Sequence, residues 1–408
     1  DFSFSGYIIN SKDSFPLKNA TLQIQGVSEI METNSEGYFE FQSLCPKNYS
    51  VIISHPNGKT KLISVNLDQS IQKTIELEYQ INELDEVIVE GETNLKSRTI
   101  FENKISDQTI EDNSSSTLGD LLKNISGVSS INTGNSIIKP IINGLYGSRV
   151  DVLNNEVNLQ DQQWGIEHAP NIDINSAANI SVIKGAGALK YSGSAIGGIV
   201  IAEPPKVFLK DSLYGKTVIT GGTNGRGGSV STRLTRSFEN GWFTSLQGTY
   251  KRFGDFETPD YILSNSGLID QSASFQIGLN KVNYGFEFFI STVNNDIGII
   301  RASHLHAASD QLRAIKSNQP WYIEPFTYKI NPPFQEVKHN IAKFKIFKRF
   351  QDFGKLTFQY HFQDNKRLEF DVRRGKYKNI PATNLRLKTH TIMLDFDSDF
   401  LNMFDFNY

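Results

Sequence analysis

From about residue 213 to its end, the chain alternates apolar side chains with small or polar ones. Ala273 to Leu279 (ASFQIGL) and Leu356 to Phe362 (LTFQYHF) show it most clearly. Val230 to Arg236, Trp242 to Tyr250, Phe286 to Ile290, Ala342 to Ile346 and Ile392 to Phe396 follow suit. A period of two sends successive side chains to opposite faces of a strand, so each segment has one apolar and one polar face. Such strands suit a barrel with lipid outside and a watery or plugged interior, and equally a soluble sandwich. Connection length separates the two. Arg236 to Trp242 and Phe350 to Lys355 are short and polar, whereas Asn294 to Glu336 is about 40 residues, longer than compact soluble domains usually tolerate. Short turns at one end and long loops at the other predict an antiparallel transmembrane β-barrel, with about eight strands before the sequence stops inside a strand at Phe404 to Tyr408.

Composition agrees with a β-rich chain. Gly (31), Phe (28) and Tyr (15) are plentiful in the 408 residues, while hydrophobic residues reach only 38%. With 41 basic and 44 acidic residues, nothing favours nucleic acid as a partner. Cys45 is the single cysteine, so no internal disulfide can form, and a small buried apolar role is expected for it. No window approaches the ~18 continuous apolar residues of a membrane-crossing helix. No charged and apolar leader precedes Asp1, which predicts that a signal peptide was removed or never included.

Residues 1–80 read as five or more short strands: Phe4 to Asn10, Thr21 to Gly26, Gly37 to Gln42, Tyr49 to Ser54 and Thr60 to Leu67. Turns fall at Asn34 to Gly37, Cys45 to Asn48 and Pro56 to Gly58. That spacing predicts a small β-sandwich. The runs from Gly6 (GYII), Pro16 (PLKNATLQI) and Thr33 (TNSEGYFEF) resemble the carboxypeptidase-regulatory-like domain, which implies no chemistry by itself.

Residues 98–207 centre on a glycine-rich block, Ile180 to Ile201, where two β-branched runs flank small residues that let backbone pack on backbone. Upstream, apolar residues at 118, 121, 122 and 125 have helical spacing, with Ser114 to Ser116 as candidate caps at the start and Gly127 at the end. Arg149 to Asn155 reads as a strand entering an Asn154-Asn155 turn. Together with Ile142 to Val150, these motifs resemble the plug domain of TonB-dependent outer-membrane receptors. The resemblance implies Gly144, Arg149, Val150, Gly185, Tyr191, Gly197 and Gly198 as plug core. Three positions depart from the family pattern: Asn143 where arginine is common, Asn154-Asn155 for Asp-Gly, and Ser192 where glycine usually follows Tyr191. Asn tolerates positive φ, so the fold should survive, but arginine contacts at 143 are lost.

The fold expected is thus mostly β: a sandwich (1–80), a linker (81–97), an α+β plug (98–207) and an incomplete transmembrane barrel (208–408). A family-like barrel has about 22 strands, so the chain reads as a fragment or the product of a truncated gene. In the linker, Leu84, Asp85, Glu86, Val87, Ile88 and Val89 form an apolar core with acidic neighbours that can add to a partner's sheet edge. The segment looks like a TonB box, implying the TonB-ExbB-ExbD energising complex as partner, with outer-membrane lipid and a small metal-complex ligand besides. The competing reading is an ordinary strand of either flanking domain.

Two loops concentrate ligand-type side chains. Asp161 to Asp173 brings together Trp164, Glu167 and His168, and plugs resembling this one include zinc receptors with an Asp-His-Ala segment; these side chains can also simply satisfy loop backbone. In the long loop, His304 and His306 share one face of an extended segment, compatible with one metal ion, with Trp321 a candidate ligand contact. A solvated, inert pair is the alternative. No Gly-x-Ser-x-Gly elbow, phosphate loop or His-Glu-x-x-His helix occurs, and the glycine run at 221–228 reads as a hairpin turn, so an enzyme is not expected.

The function implied is energised uptake across a Gram-negative, Bacteroidetes-type outer membrane. The expected ligand is a siderophore-type iron complex, with no permanently bound cofactor and a transported metal or metal complex as cargo. Zinc or copper ion is the runner-up, and a non-transporting surface adhesion protein the alternative from another class. Glycan uptake is less expected, since the helix region lacks the Leu-Gln-Gly-Lys-Val-Ala-Gly-Val run of those receptors.

Overall fold

A computed structural model describes residues 2–77 apart from 12–13, 26–29 and 56–59, and residues 101–397 apart from 135, 162–164, 166, 206, 208–209, 303–304, 306 and 351–353. The segment Leu84 to Val89, Trp164, His304 and His306 lie outside the described residues.

The first unit has seven strands: β1 (Phe2–Asn10), β2 (Thr21–Ile24), β3 (Ile30–Glu32), β4 (Tyr38–Leu44), β5 (Lys47–Ser54), β6 (Lys61–Leu67) and β7 (Ile71–Leu77). They form two sheets, β4-β1-β7 and β3-β2-β5-β6, whose inward residues Phe4, Ile8, Phe39, Phe41, Val51 and Ile53 make one core. Strand β7, absent from the sequence reading, runs parallel to β1. Cys45 corrects the expectation of burial: it is exposed in the β4–β5 turn, where its carbonyl accepts the Tyr49 hydroxyl at 2.9 Å.

The second unit holds β8 (Phe101–Ile105), α1 (Asp107–Asp112), α2 (Leu118–Leu122), β9 (Val128–Asn132), β10 (Ile138–Ile142), β11 (Val150–Asn154), β12 (Val157–Asn158), β13 (Asn179–Lys184) and β14 (Gly198–Glu203). Sheet order is β12-β11-β14-β13-β8, with β9 and β10 a separate hairpin. The cap of α2 is Thr117, whose hydroxyl accepts the Asp120 N–H at 3.2 Å; the serines before it do not perform this role. The two β-branched runs of Ile180 to Ile201 pair antiparallel as β13 and β14, and a short 3-10 helix (Gly185–Lys190) lies between them.

The glycines there have two different jobs. Gly197 and Gly198 are buried where backbones touch: a Cβ on Gly198, at φ +136°, would lie 2.9 Å from the Ile183 carbonyl oxygen. Gly144 and Gly185 adopt φ of +80° and +69° in exposed turns with nothing nearby, so they serve chain reversal, not core packing. Arg149 and Tyr191 are also at the surface, which corrects their expected place in the core; Arg149 contributes its carbonyl, accepting the Gly197 N–H at 2.8 Å, while Val150 is buried. The hairpin turn falls one residue later than expected. Asn155 and Glu156 hold φ of +47° and +66°, while Asn154 pairs with Val157.

The third unit is one antiparallel sheet in chain order: β15 (Ser212–Gly222), β16 (Gly227–Ser237), β17 (Trp242–Phe253), β20 (Leu268–Asn280), β21 (Tyr284–Gly298), β22 (Phe334–Phe350), β23 (Gly354–Phe370) and β24 (Thr383–Asp397). A two-stranded ribbon, β18 (Phe256–Glu257) with β19 (Ile262–Leu263), rises from the β17–β20 connection, and α3 (Ala308–Ile315) from the β21–β22 connection. The eight strands match the expected number. Edges β15 and β24 remain unpaired with each other, so the sheet is an open wall among the described residues. The long loop is shorter than expected because β21 and β22 extend into it, leaving 299–333 as the connection.

The two faces of this wall are inverted relative to a soluble sandwich. A register row on the side facing away from the second unit runs Leu234, Leu246, Phe275, Ile290, Ala342, Phe362. Leu234 is 50% exposed and Leu246 58%, while their neighbours Arg233 and Gln247 are buried at 9% and 4%. Apolar outside and polar inside is the arrangement that lipid selects, because only a hydrocarbon surrounding removes the cost of that apolar surface. Inside, the wall holds the second unit, and Phe289 and Ile341 from the wall join its hydrophobic core.

Candidate functional site

Besides the apolar contacts of Phe289 and Ile341, the wall's polar inner positions meet the enclosed unit through hydrogen bonds and ion pairs. Asp173 accepts from Gln247 Nε2 at 2.8 Å and from the Ser272 hydroxyl, while Arg233 donates to the Asn175 carbonyl. Gln363 on β23 accepts the Gln160 N–H at 3.0 Å and donates to the Asn158 carbonyl at 2.9 Å. Each of these replaces a water bond that an enclosed backbone group or the Asp173 carboxylate has lost.

The loop at 161–173 is fastened the same way. His168 is 4% exposed, and its Nε2 meets Glu369 Oε1 at 2.7 Å. The Glu167 carbonyl accepts Gln335 Nε2 at 3.1 Å, and Gln335 in turn accepts Arg367 Nη1 at 2.6 Å. Lys139 donates to the Gly165 carbonyl at 2.6 Å; burial pulls its ammonium from 10.5 down to about 8, against the opposing charge of Asp161. His168 and Glu167 therefore stitch the loop to the wall. Trp321 sits elsewhere, 40% exposed in the 299–333 connection with Arg313 5.1 Å above its ring. Among the described residues, no group of three or more His, Cys, Asp or Glu is placed to hold a metal ion.

At the other end of the hairpin, the β11–β12 turn is clamped by a buried lysine. Lys343, whose side chain is fully buried, donates to the Asn155 carbonyl at 3.0 Å, to Asn155 Oδ1 at 2.9 Å and to Glu156 Oε2 at 3.2 Å. It also lies 2.7 Å from a Glu287 carboxylate oxygen, and Lys345 pairs with the other oxygen of Glu156. Burial pushes the Glu156 carboxyl up, but the two lysine charges more than offset this and hold it below its ordinary 4.5. Sequence reading missed this clamp. Its signal was parity: Gln335, His339 and Lys343 share the strand face of the apolar Val337 and Ile341, and a lysine there requires an acidic partner across the gap.

Between wall and enclosed unit, toward the end bearing the long connections, lies a cavity of about 410 Å³. Ser116 to Leu118 and Asn171 to Ile174 form one side, with Thr249, Lys251, Asp270 and Arg367 on the other. Lys251 and Asp270 are paired at 3.0 Å. A space of this size lined by paired charges can admit a small polar molecule.

Comparison with known proteins fits this geometry. Residues 95–199 match the family described as TonB-dependent Receptor Plug Domain, and residues 4–89 match the CarboxypepD_reg-like domain. Among solved structures, the chain is similar to the copper transporter OprC, with 14% identity and a TM-score of 0.51, covering 69% of this chain and 40% of that one. It is similar also to the ferric citrate transporter FecA in the unliganded form (14%, 0.51, 68% and 41%). A third is a double mutant of the Serratia marcescens hemophore receptor HasR in complex with its hemophore HasA and heme (16%, 0.51, 65% and 38%). At these identities the likeness is one of fold, and the chain spans about 40% of the length of the first of these structures. The chain thus carries a CarboxypepD_reg-like domain and a TonB-dependent Receptor Plug Domain, with an open antiparallel wall along the flank of the plug.

Proposed function

We propose that the chain belongs to an energised importer of the Gram-negative, Bacteroidetes-type outer membrane that takes up a scarce siderophore-type iron complex. The observation that carries this reading is the inverted wall, apolar toward lipid and polar toward a plug held by hydrogen bonds and ion pairs. Polar fastening suits a plug that must shift, because each bond can be exchanged for water as the interface opens. A TonB-ExbB-ExbD complex would supply the work by pulling on Leu84 to Val89 through strand addition. Trp164, Glu167 and Trp321 are the proposed ligand contacts, with His304 and His306 as metal contacts; His168, engaged by Glu369, holds the loop at 161–173 to the wall.

The test uses the full-length gene product in its own cells. Energised uptake of radioactive ferric chelates should depend on the gene and fall to the unenergised background with Val87→Pro, which removes a strand donor, while ligand binding persists. Recovery of the product as a freely soluble protein, or uptake untouched by Val87→Pro, contradicts the reading. Uptake of zinc or copper in place of iron complexes would move the cargo to the free ions.

A further inference from the structure

We infer that the outward face of β22 to β24 carries a docking site for the phosphate groups of a lipid headgroup in the outer leaflet. The inference goes beyond uptake and rests on the wall's lipid-facing orientation alone. In the register, Lys338 stands opposite Lys366, and Lys366 opposite Arg386. All three are exposed, whereas Val337, His339, Asn365 and Arg367 beside them are buried, so the cations point away from the plug. Like charges directly opposite on a sheet repel each other. Continued across the wall, the same row reads Asn294, Gln271, Tyr250, Val230 and Ile219, with no charge. The cations are therefore gathered on three adjacent strands and do not form a girdle.

Their depth fits a headgroup. Roughly 13 Å along the strands toward the short turns, the same face presents Ala342, Phe362 and His390, and the next row presents Phe344, Tyr360 and Ile392. The Tyr360 hydroxyl meets His390 Nδ1 at 2.8 Å, and the His390 ring lies 4.9 Å from that of Phe362. Amphipathic rings of this kind collect at the edge of the hydrocarbon, which puts the cation row just beyond it, where charge on the lipid side costs least. Between the two rows lies Asp364, opposite Lys388. It accepts Arg386 Nε at 2.8 Å and Nη2 at 2.6 Å, so those two charges cancel. Lys338 and Lys366 have no ion-pair partner among the described residues, and Glu336, one row further out, faces the like charge of Asp296. Two facing lysines on a flat surface hold a dissolved anion poorly, since water and salt screen them. A lipid phosphate meets them differently, because its acyl chains lie on the apolar rows below and the two contacts reinforce each other.

Native mass spectrometry of the full-length gene product in neutral detergent tests the assignment, with lipid A, a diphosphorylated glycolipid, as the probe and lipid A stripped of its phosphates as the control. The parent should hold lipid A about tenfold or more tightly than the stripped form, and Lys338→Gln/Lys366→Gln should lose that preference. Lys338→Arg/Lys366→Arg retains both charges and should keep it. Lys18→Gln/Lys73→Gln, two exposed positions on the sandwich, removes the same charge and should bind as the parent does. Because Lys338 and Lys366 are exposed, folding should survive, which a circular dichroism melt matching the parent checks. Equal affinity for the two forms in the parent, an unchanged preference in the glutamine variant, loss in the folded arginine variant, or equal loss in the sandwich control overturns the proposal. Displacement of lipid A by millimolar inorganic phosphate also overturns it, since the site would then belong to the free ion. Neither lysine enters the uptake assay or the effect of Val87→Pro, so this site and the importer reading fail separately.

Discussion

Replacing Lys343 by Met should release the plug hairpin from the wall. The ammonium makes three hydrogen bonds and one further ion pair from a fully buried position. Removing one partner of a buried ion pair costs roughly 3–5 kcal/mol, because the other charge is stranded. The figure needs lowering here: the Glu156 side chain is 46% exposed and recovers much of its hydration, and Glu287 is 20% exposed. About 2–3 kcal/mol of local stability remains at stake, equivalent to about 30- to 150-fold in the opening equilibrium. Native-state hydrogen exchange reads it directly. The reporters are the amides of Asn155, bonded to the Ala202 carbonyl at 3.0 Å, and Leu159, bonded to Val152 at 2.9 Å. The Ile8 amide of the N-terminal sandwich, bonded to Gly37 at 2.8 Å, serves as the internal control. In Lys343→Met/Glu156→Gln the loss should be smaller than the sum of the single changes, since the stranded charge is gone. Acceleration below about threefold at Asn155 and Leu159, or equal acceleration at Ile8, would refute the clamp.

Further outcomes follow from individual residues. Glu156 titrates below its ordinary 4.5 when folded, so its contribution is complete above that value and is lost as pH falls through the lower folded pKa; hairpin exchange should accelerate in acid for the parent and not for Glu156→Gln. Lys139 is held at about 8 against 10.5 unfolded, so the unfolded chain binds more protons between those values and plug stability should rise from pH 8 toward 10.5, a slope that chemical denaturation of Lys139→Gln should lack. Gly198→Ala combines a φ of +136° with a Cβ 2.9 Å from the Ile183 carbonyl oxygen, so a loss of about 2–4 kcal/mol is expected in plug unfolding, and a loss under about 1 would contradict the packing argument. Thr117→Ala should cost about 1 kcal/mol and expose the Asp120 amide to exchange.

The wall was legible in the sequence because its signal is strictly periodic. Phe275, Ile277 and Leu279 alternate with polar neighbours, and every strand of that kind is present. The plug was legible through order and motif, with β13 and β14 bracketing the glycine-rich block as expected. What escaped was side-chain placement in three dimensions. Gly185 and Gly198 look alike in sequence, yet one serves a turn and the other a backbone contact, and only neighbours distinguish them. His168 reads as a ligand from its chemistry, but its Nε2 is occupied by Glu369, which lies 201 positions later. Lys343 and Glu156 are 187 positions apart, so nothing local marks them as partners. Cys45 misled because type statistics favour burial, whereas its turn faces outward.

The central claim is that the wall's apolar face meets lipid and its polar face meets the plug. Spin labels on single cysteines at 246 and 247, in a Cys45→Ser background, test it in isolated outer membranes. Leu246 is outward and exposed, while Gln247, its neighbour in β17, is buried against the plug. A label at 246 should collide freely with dissolved oxygen and be shielded from a water-soluble nickel chelate, and a label at 247 should be shielded from oxygen in the bilayer. Ready access of the nickel chelate to the label at 246 would contradict a lipid-facing wall.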